Sequence, residues 1–403
     1  MILRLAALPI TLVLLPWTAV TAADATSASA TVANTAVPPR ENPGLAWLAA
    51  HQRDDGGWSG ADDPGGPAGW DANGDDVAAT ALALEAFAGA GFYRDATDQF
   101  QKTLDAAYEF LHAHQQDDGG FGGTFTTAVA DAVLVDDYLS SSDPDVAWPA
   151  QRGLNTLRAR QSANGAWGIG WPTFQCDTAT TAWCVLTMRS GTAPHPHPGN
   201  ALANAGGWLY ATYQAANPNW RQCDPAHDQA EFPAHTSATA AAAAPPPAPD
   251  AQAVAAAAVC AFFLQPGEAP QVDSTPDSTP TSDSATTPAP AFPPVSATAA
   301  AVMFETLANR LVSPVVCQAA TTDAMTAYLG TQVAFRLDDA RWQRWNTAVV
   351  DPIRAAQHNQ PGDLCGSLDP IAHSTSPTNG RVAVTALRIL TLEMAYRHGR
   401  KYR

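Results

Sequence analysis

Apolar residues recur along this chain at intervals of three and four, and each run ends at a short polar, glycine-bearing break. Leu45 and Leu48 lead to Gln52, Gly56 and Trp58; Tyr108 and Leu111 lead to Gln115, Gly119 and Phe121. Leu154 and Leu157 lead to Gln161, Gly165 and Trp167 in the same register. A fourth run, Tyr210 to Gln214 to Trp220, keeps the Gln-to-aromatic spacing but has Gly207 at its first apolar position and Pro218 at its glycine. Apolar residues seven and four before each Gln share one helical face, so each run predicts an amphipathic helix ending near its Gln. Asp-Asp-Gly-Gly and Ala-Asn-Gly then stop the helix, with glycine free to adopt the left-handed conformation. The aromatic is expected to fold back over the last turn and cover the Gln amide, whose hydrogen bonds tie that turn to the next helix start.

After each break comes a second helix, richer in Ala and Thr. Asp76-Val-Ala-Ala-Thr80-Ala-Leu and Asp177-Thr-Ala-Thr-Thr181-Ala-Trp hold one spacing, and related starts occur at Thr127–Asp131, Asp323–Ala327 and Arg381–Leu387. Asp at a helix head caps free N–H groups and complements the positive end of the dipole. Six helix pairs result: 43–92, 100–141, 149–191, 200–265, 296–335 and 339–398. Two low-complexity inserts interrupt the later pairs. Residues 233–251 are rich in Ala and Pro, and 266–295 repeat Asp-Ser-Thr-Pro with too little apolar content to fold. The class is all-α.

The N-terminus changes the picture of where the protein works. Met-Ile-Leu-Arg, an apolar run from Leu5 to Val20 broken by Pro9 and Pro16, and small residues at Ala22 and Ala23 describe a cleavable signal peptide over 1–22. A flexible leader over 23–42, the repeats over 43–398 and a tail over 399–403 follow. The mature chain is therefore expected to be exported, to the periplasm or beyond, with no stable membrane span. A net charge of −17 argues against nucleic acid or an anionic membrane as partner, because both call for a basic face. The six cysteines are too scattered for a disulfide framework. Cys184 and Cys260 fall in apolar helices and read as buried thiols, leaving Cys176–Cys223 as the favoured bridge.

The Gln-x-x-x-Gly-x-Trp turns resemble those of the terpenoid cyclase and protein prenyltransferase superfamily. The stretch from Trp342-Gln-Arg-Trp345 through Cys365-Gly366-Ser367 to Gly380–Leu387 and Leu392-Glu393 is further similar to exported squalene-cyclase-like repeat proteins of planctomycete-type bacteria. The resemblance implies an (α/α)6 toroid, with the second helices as an inner ring. Leu368 stands where the last turn would carry Trp, and the Gln spacing there is stretched.

The same register bears on chemistry. Cyclases of the superfamily that protonate an alkene carry Asp-x-Asp-Asp-Thr-Ala at an inner-helix start, and the middle Asp is held protonated to deliver the proton. Here Asp76 and Asp177 match only the first Asp; Ala78-Ala79 and Ala179-Thr180 occupy the other two places. Asp76 and Asp177 are thus weak catalytic candidates. The adjacent carboxylate pairs lack the third Asp of a diphosphate-binding motif. The prenyltransferase branch holds zinc through Asp-x-Cys and a distant His, which Asp363, Cys365 and His373 match locally. Cys365-Gly366-Ser-Leu does not continue as a thioester motif. Trp183, Tyr328 and Phe335 are expected to line the ring, with Asp76, Asp177 and Asp323 at the mouth where inner helices begin. No cofactor is implied. The reading favoured is a non-catalytic toroid that binds a lipid, peptide or partner, or serves as a scaffold. The alternatives are an atypical isoprenoid cyclase and a secreted carbohydrate-active enzyme with paired carboxylates.

Overall fold

The computed structural model describes residues 41–60, 72–94, 99–141, 144–169, 175–191, 200–214, 251–264, 295–370 and 380–399. Fourteen α-helices account for nearly all of this: α1 Pro43–Ala50, α2 Ala72–Gly89, α3 Gln101–His114, α4 Thr124–Ser141, α5 Pro144–Ala159, α6 Thr178–Ser190 and α7 Ala201–Gln214. The second half holds α8 Ala251–Phe263, α9 Ala297–Leu311, α10 Pro314–Thr322, α11 Ala324–Ala334, α12 Asp339–Trp345, α13 Asp351–Ala356 and α14 Arg381–Gly399. A π-helical turn, Asn346–Val350, joins α12 to α13. The one departure from helix is a pair of two-residue antiparallel strands, β1 Gly168–Ile169 and β2 Gln175–Cys176, just after Trp167.

Six helices form a closed inner ring. α2 packs on α4, α4 on α6, α6 on α8, α8 on α11, α11 on α14, and α14 returns to α2. The other helices clothe this ring: α3 lies on α2, α5 on α4 and α6, α7 on α6 and α8, and α13 on α14. The protein is an (α/α)6 toroid. The inner helices are Ala- and Thr-rich because they are buried on every side, and small side chains let six helices approach closely around one axis. The outer helices α3, α5 and α9 carry one apolar face each, with charged residues opposite. In the fifth pair the outer layer is broken in two, α9 and α10 being bent by 65° at the Ser313-Pro314 break, where proline starts the second piece. Among the described residues no single helix is long and apolar enough to cross a membrane.

The Gln-Gly-aromatic turns show how the layers are joined. Gln52 Nε2 donates to the Gly56 carbonyl in its own turn and to Thr103 O in α3, both at 2.8 Å. Gln115 bridges Gly119 O and Pro149 O, and Gln161 bridges Gly165 O and Ala201 O, in the same way. The amide thus reaches the next outer helix, rather than the inner helix that follows in sequence. Each turn glycine has positive φ (87°, 90° and 86° at Gly56, Gly119 and Gly165), and a Cβ there would strike a backbone carbonyl of that next outer helix. The aromatic completes the unit. Trp58 and Trp167 donate through Nε1 to Leu48 O and Leu157 O, both at 2.7 Å. Their backbone N–H groups, and that of Phe121, donate to buried inner-helix hydroxyls of Thr80, Thr181 and Thr127.

The sixth turn repeats this pattern despite its stretched sequence. Gln357 donates to Gly366 O and to Asn42 Oδ1, both at 2.8 Å, and Leu368 N donates to Thr385 Oγ1 at 3.0 Å. Leu368 is fully buried where the other turns seat an aromatic ring. Because Asn42 caps α1 through Gly44 N, this turn fastens the last repeat to the first and closes the toroid. Trp47 Nε1 adds a bond to Asp363 O at 2.8 Å. The turn after Gln214, with Trp220, lies outside the described residues, as do 1–40 and nearly all of both inserts. Asn42→Ala removes the cap and the Gln357 acceptor together and is expected to cost about 1–2 kcal/mol in denaturant unfolding. Asn42→Asp keeps both acceptors and is expected to stay near wild type; equal losses in the two variants would contradict the shared-acceptor role.

Candidate functional site

The turns seat on Thr80, Thr127, Thr181 and Thr385 near the starts of α2, α4, α6 and α14, and Trp183 near the start of α6 meets Tyr328 near the start of α11. These N-termini therefore share one end of the ring, and the sequence candidates separate there according to how each helix begins. Asp177 caps α6: its carboxylate accepts from Thr180 N and Thr180 Oγ1, both at 2.7 Å, and is largely buried. Asp323 caps α11 through Thr326 N at 2.7 Å. Asp76 differs from the expected helix head, since α2 starts four residues earlier, at Ala72. Its carboxylate accepts from Gly60 N at 2.9 Å and pairs with Arg53 at 2.6 Å, bracing the first turn against α2. The places where the register would put proton-donating acids hold the side chains of Ala78, Ala79 and Ala179, all buried, and Thr180.

Aromatic side chains meet across the ring interior near this end. Trp183 of α6 stacks on Tyr328 of α11, with ring centroids 5.3 Å apart and planes 24° apart. These helices are not neighbours in the ring, α8 standing between them, so the stack crosses the interior. Phe125 of α4 meets Trp183 edge-on at 6.1 Å, and Trp183 Nε1 donates to Met325 Sδ at 3.1 Å. Trp183 is 2% exposed and Tyr328 5%. Phe335, grouped with them in the sequence reading, sits instead at the far end of α11 as its C-cap, edge-on to Trp342 of α12. A cavity of about 330 Å³ lies away from the axis, between the second turn and α5, lined by Asp118, Asn155, Thr156, Ala159 and Arg160.

Asp363 and Cys365 belong to the sixth turn. Cys365 occupies the place held by Asp55, Asp118 and Asn164 in the other turns, and the Asp363 carbonyl is spent on Trp47. His373 lies outside the described residues, and among those described no three His, Cys, Asp or Glu side chains gather as a metal set. Cys184 and Cys260 are buried free thiols, each pushed up by burial. Cys223 of the expected bridge lies outside the described residues.

Three further polar groupings stand apart from these. His358 Nε2 lies 3.0 Å from Asp369 Oδ1, which also pairs with Arg381 at 2.6 Å; these two bonds hold the Asp369 carboxyl below its usual range. His358 follows Gln357 as Arg53 follows Gln52, so registering the last turn on Gln357 and Gly366 would have found it. The second lies between α2, α4 and α3, where Glu85, Asp136 and Asp137 surround Tyr108 and Arg94. Burial, then the charge of Asp137, pushes the phenol well above its ordinary value. Arg94 is 3.9 Å from Asp137 and 5.7 Å from the Tyr108 ring. Because Tyr108 belongs to outer α3, this cluster sits between the two layers, away from the axis. The third is the buried Asp131 of α4, discussed below.

No family model and no curated protein sequence matches the chain. Solved structures do. The GH76A α-1,6-mannanase of Salegentibacter sp. HEL1_6 aligns with a TM-score of 0.54 at 10% identity, over 89% of this chain and 98% of its own. An inactive form of that enzyme with two consecutive aspartates replaced, bound to α-1,6-mannotetrose, aligns with a TM-score of 0.53 at 9% identity, over 87% and 97%. The type II terpene cyclase MstE from Scytonema aligns with a TM-score of 0.49 at 14% identity, over 88% and 96%. At such identities the mannanase likeness establishes the fold alone, and that fold is the α/α toroid.

Proposed function

We propose that the chain is an exported, non-catalytic toroid that binds a ligand or partner, or serves as a scaffold, and that it is not an isoprenoid cyclase. The observation that supports this most is the presence of alanines at the acid positions, beside Trp183, Tyr328 and Phe125 meeting across the ring interior. Protonating an alkene takes a tuned carboxyl facing an apolar chamber. Here the two register-matched carboxylates are committed to the Asp177 cap and the Asp76–Arg53 pair. Incubation of the purified chain with squalene is expected to return squalene unchanged, and solvent extraction followed by mass spectrometry is expected to release no cyclised isoprenoid. Any cyclic product would reverse the reading.

The mannanase likeness favours a second reading, a carbohydrate-active enzyme. That enzyme is described as inactive once two consecutive aspartates are replaced, and this chain carries consecutive aspartates, Asp136-Asp137, on an inner helix. It ranks second because Asp137 is buried beside Arg94 and Tyr108, between the layers. Release of reducing ends from α-1,6-mannan, abolished by Asp137→Asn in a folded variant, would put it first.

A further inference from the structure

Aligning the turns on their shared Thr bonds exposes one inner-helix position where the repeats disagree in chemistry. Thr80, Thr127, Thr181 and Thr385 each accept the N–H of the residue that plugs their turn. Four residues further along stand Leu84, Asp131, Val185 and Ile389, all buried. Three are aliphatic and one is a carboxylic acid. In two of the four, close contacts put this position against the outer helix of the next repeat. Ile389 presses on Gly44, eight residues before Gln52, and Asp131 presses on Gly153, eight residues before Gln161. A Cβ at Gly153 would collide with the Asp131 carboxyl.

Asp131 is 0% exposed, and neither carboxyl oxygen has a hydrogen-bond partner among the described residues. From α5, Arg158 is the charged group that acts on it. Arg158 Nε also lacks a partner, while its Nη1 donates to Asn155 Oδ1 at 2.7 Å. From α6 the Cys184 thiol feels Asp131, along with Asp177 and Arg160. Among the described residues no titratable group of α2 acts on Asp131. A carboxylate left without hydrogen bonds in such a place is far costlier than the neutral acid.

We infer that the α4–α5 seam is a proton-linked joint: Asp131 seats as a neutral acid where other repeats seat an aliphatic side chain, and its ionisation loosens the ring's hold on α5. Burial pushes the Asp131 carboxyl well above its ordinary value, and Arg158 only partly opposes this. The sign follows from linkage. Below the ordinary carboxylate range, Asp131 is protonated in folded and unfolded chains alike and contributes no difference. As pH rises from there toward the folded value, the unfolded chain loses the proton first, and stability is lost. α5 is the element affected, because it carries Gly153 and also receives the second turn through Pro149 O and Arg152.

The test is denaturant unfolding of the wild type, Asp131→Asn and the repeat-matched Asp131→Leu at a series of pH values from about 4 upward. Relative to both variants, the wild-type unfolding constant is expected to rise by up to about tenfold per pH unit, reaching a plateau above the folded value. Parallel curves for wild type and Asp131→Asn would overturn the proposal. Should neither variant fold, amide exchange in the wild type decides, after correction for intrinsic rates. Protection of α5 that falls with pH faster than that of α11 supports the joint, and equal slopes overturn it.

Discussion

Alanine in place of Gly366 is expected to destabilise the protein by about 2–4 kcal/mol, adding the cost of a left-handed non-glycine residue to that of forced overpacking. Gly366 has a φ of 96°, and a Cβ there would run into the Pro43 carbonyl at the start of α1. The collision is with backbone, so no rotamer change relieves it, and α1 must shift away from the sixth turn. That shift strains the Gln357–Asn42 and Trp47–Asp363 bonds together. Gly122→Ala is the control. Its φ is 83°, but nothing lies within 4 Å of the added Cβ, so only the conformational cost of about 1 kcal/mol is expected. Chemical denaturation of both variants separates the terms; equal losses would show that closing the ring does not depend on this close approach.

Trp167→Ala is expected to cost about 3–5 kcal/mol, the range for deleting a large buried aromatic. The ring is fully buried, its Nε1 satisfies Leu157 O near the end of α5, and its backbone meets Thr181. Trp167→Phe is expected to cost less, about 1–2 kcal/mol, since it leaves the Leu157 carbonyl unpaired but keeps most of the volume. The protein already contains that arrangement, because Phe121 fills the second turn without an indole N–H. Thermal unfolding of the pair tests this: a Phe variant as unstable as the Ala variant would mean that the hydrogen bond, not the packing, dominates.

The turns were legible in the sequence because their demands are local. A Gln, a glycine of positive φ and an aromatic at fixed spacing need no knowledge of distant residues, so the six pairs could be read directly, and the toroid followed from the family resemblance those turns carry. What each Gln amide binds was less legible. Its second acceptor lies in the next outer helix, 51 residues on for Gln52 and 34 for Gln115. The sixth turn looked degenerate because five extra residues separate Gln357 from Gly366, yet Gln357 still bridges its turn glycine and the cap of the next outer helix. Asp76 was read as a cap from its spacing to Thr80, but α2 extends a further turn toward its N-terminus and leaves Asp76 to Arg53. Phe335 caps the C-terminus of inner α11 against Trp342, a partner that periodicity alone could not name. Asp131 looked like any other helix-start acid until its neighbour Gly153 was known.

The closure through Gln357 and Asn42 joins residues 315 positions apart in the chain, and this orders events during synthesis. The face of α1 that carries Leu45, Trp47 and Leu48 emerges from the ribosome well before its α14 partner. Nascent repeats can stack on one another as they appear, each outer helix receiving the turn before it. α1 must wait for α14 to be made before its α14-facing side is met. A contact of such long range makes the final docking slow and leaves an open arc of five repeats as the natural intermediate. Chains truncated before Gln357 are therefore expected to persist as such arcs, with α1 the least protected segment, and the last repeat converts an open stack into a ring with no ends.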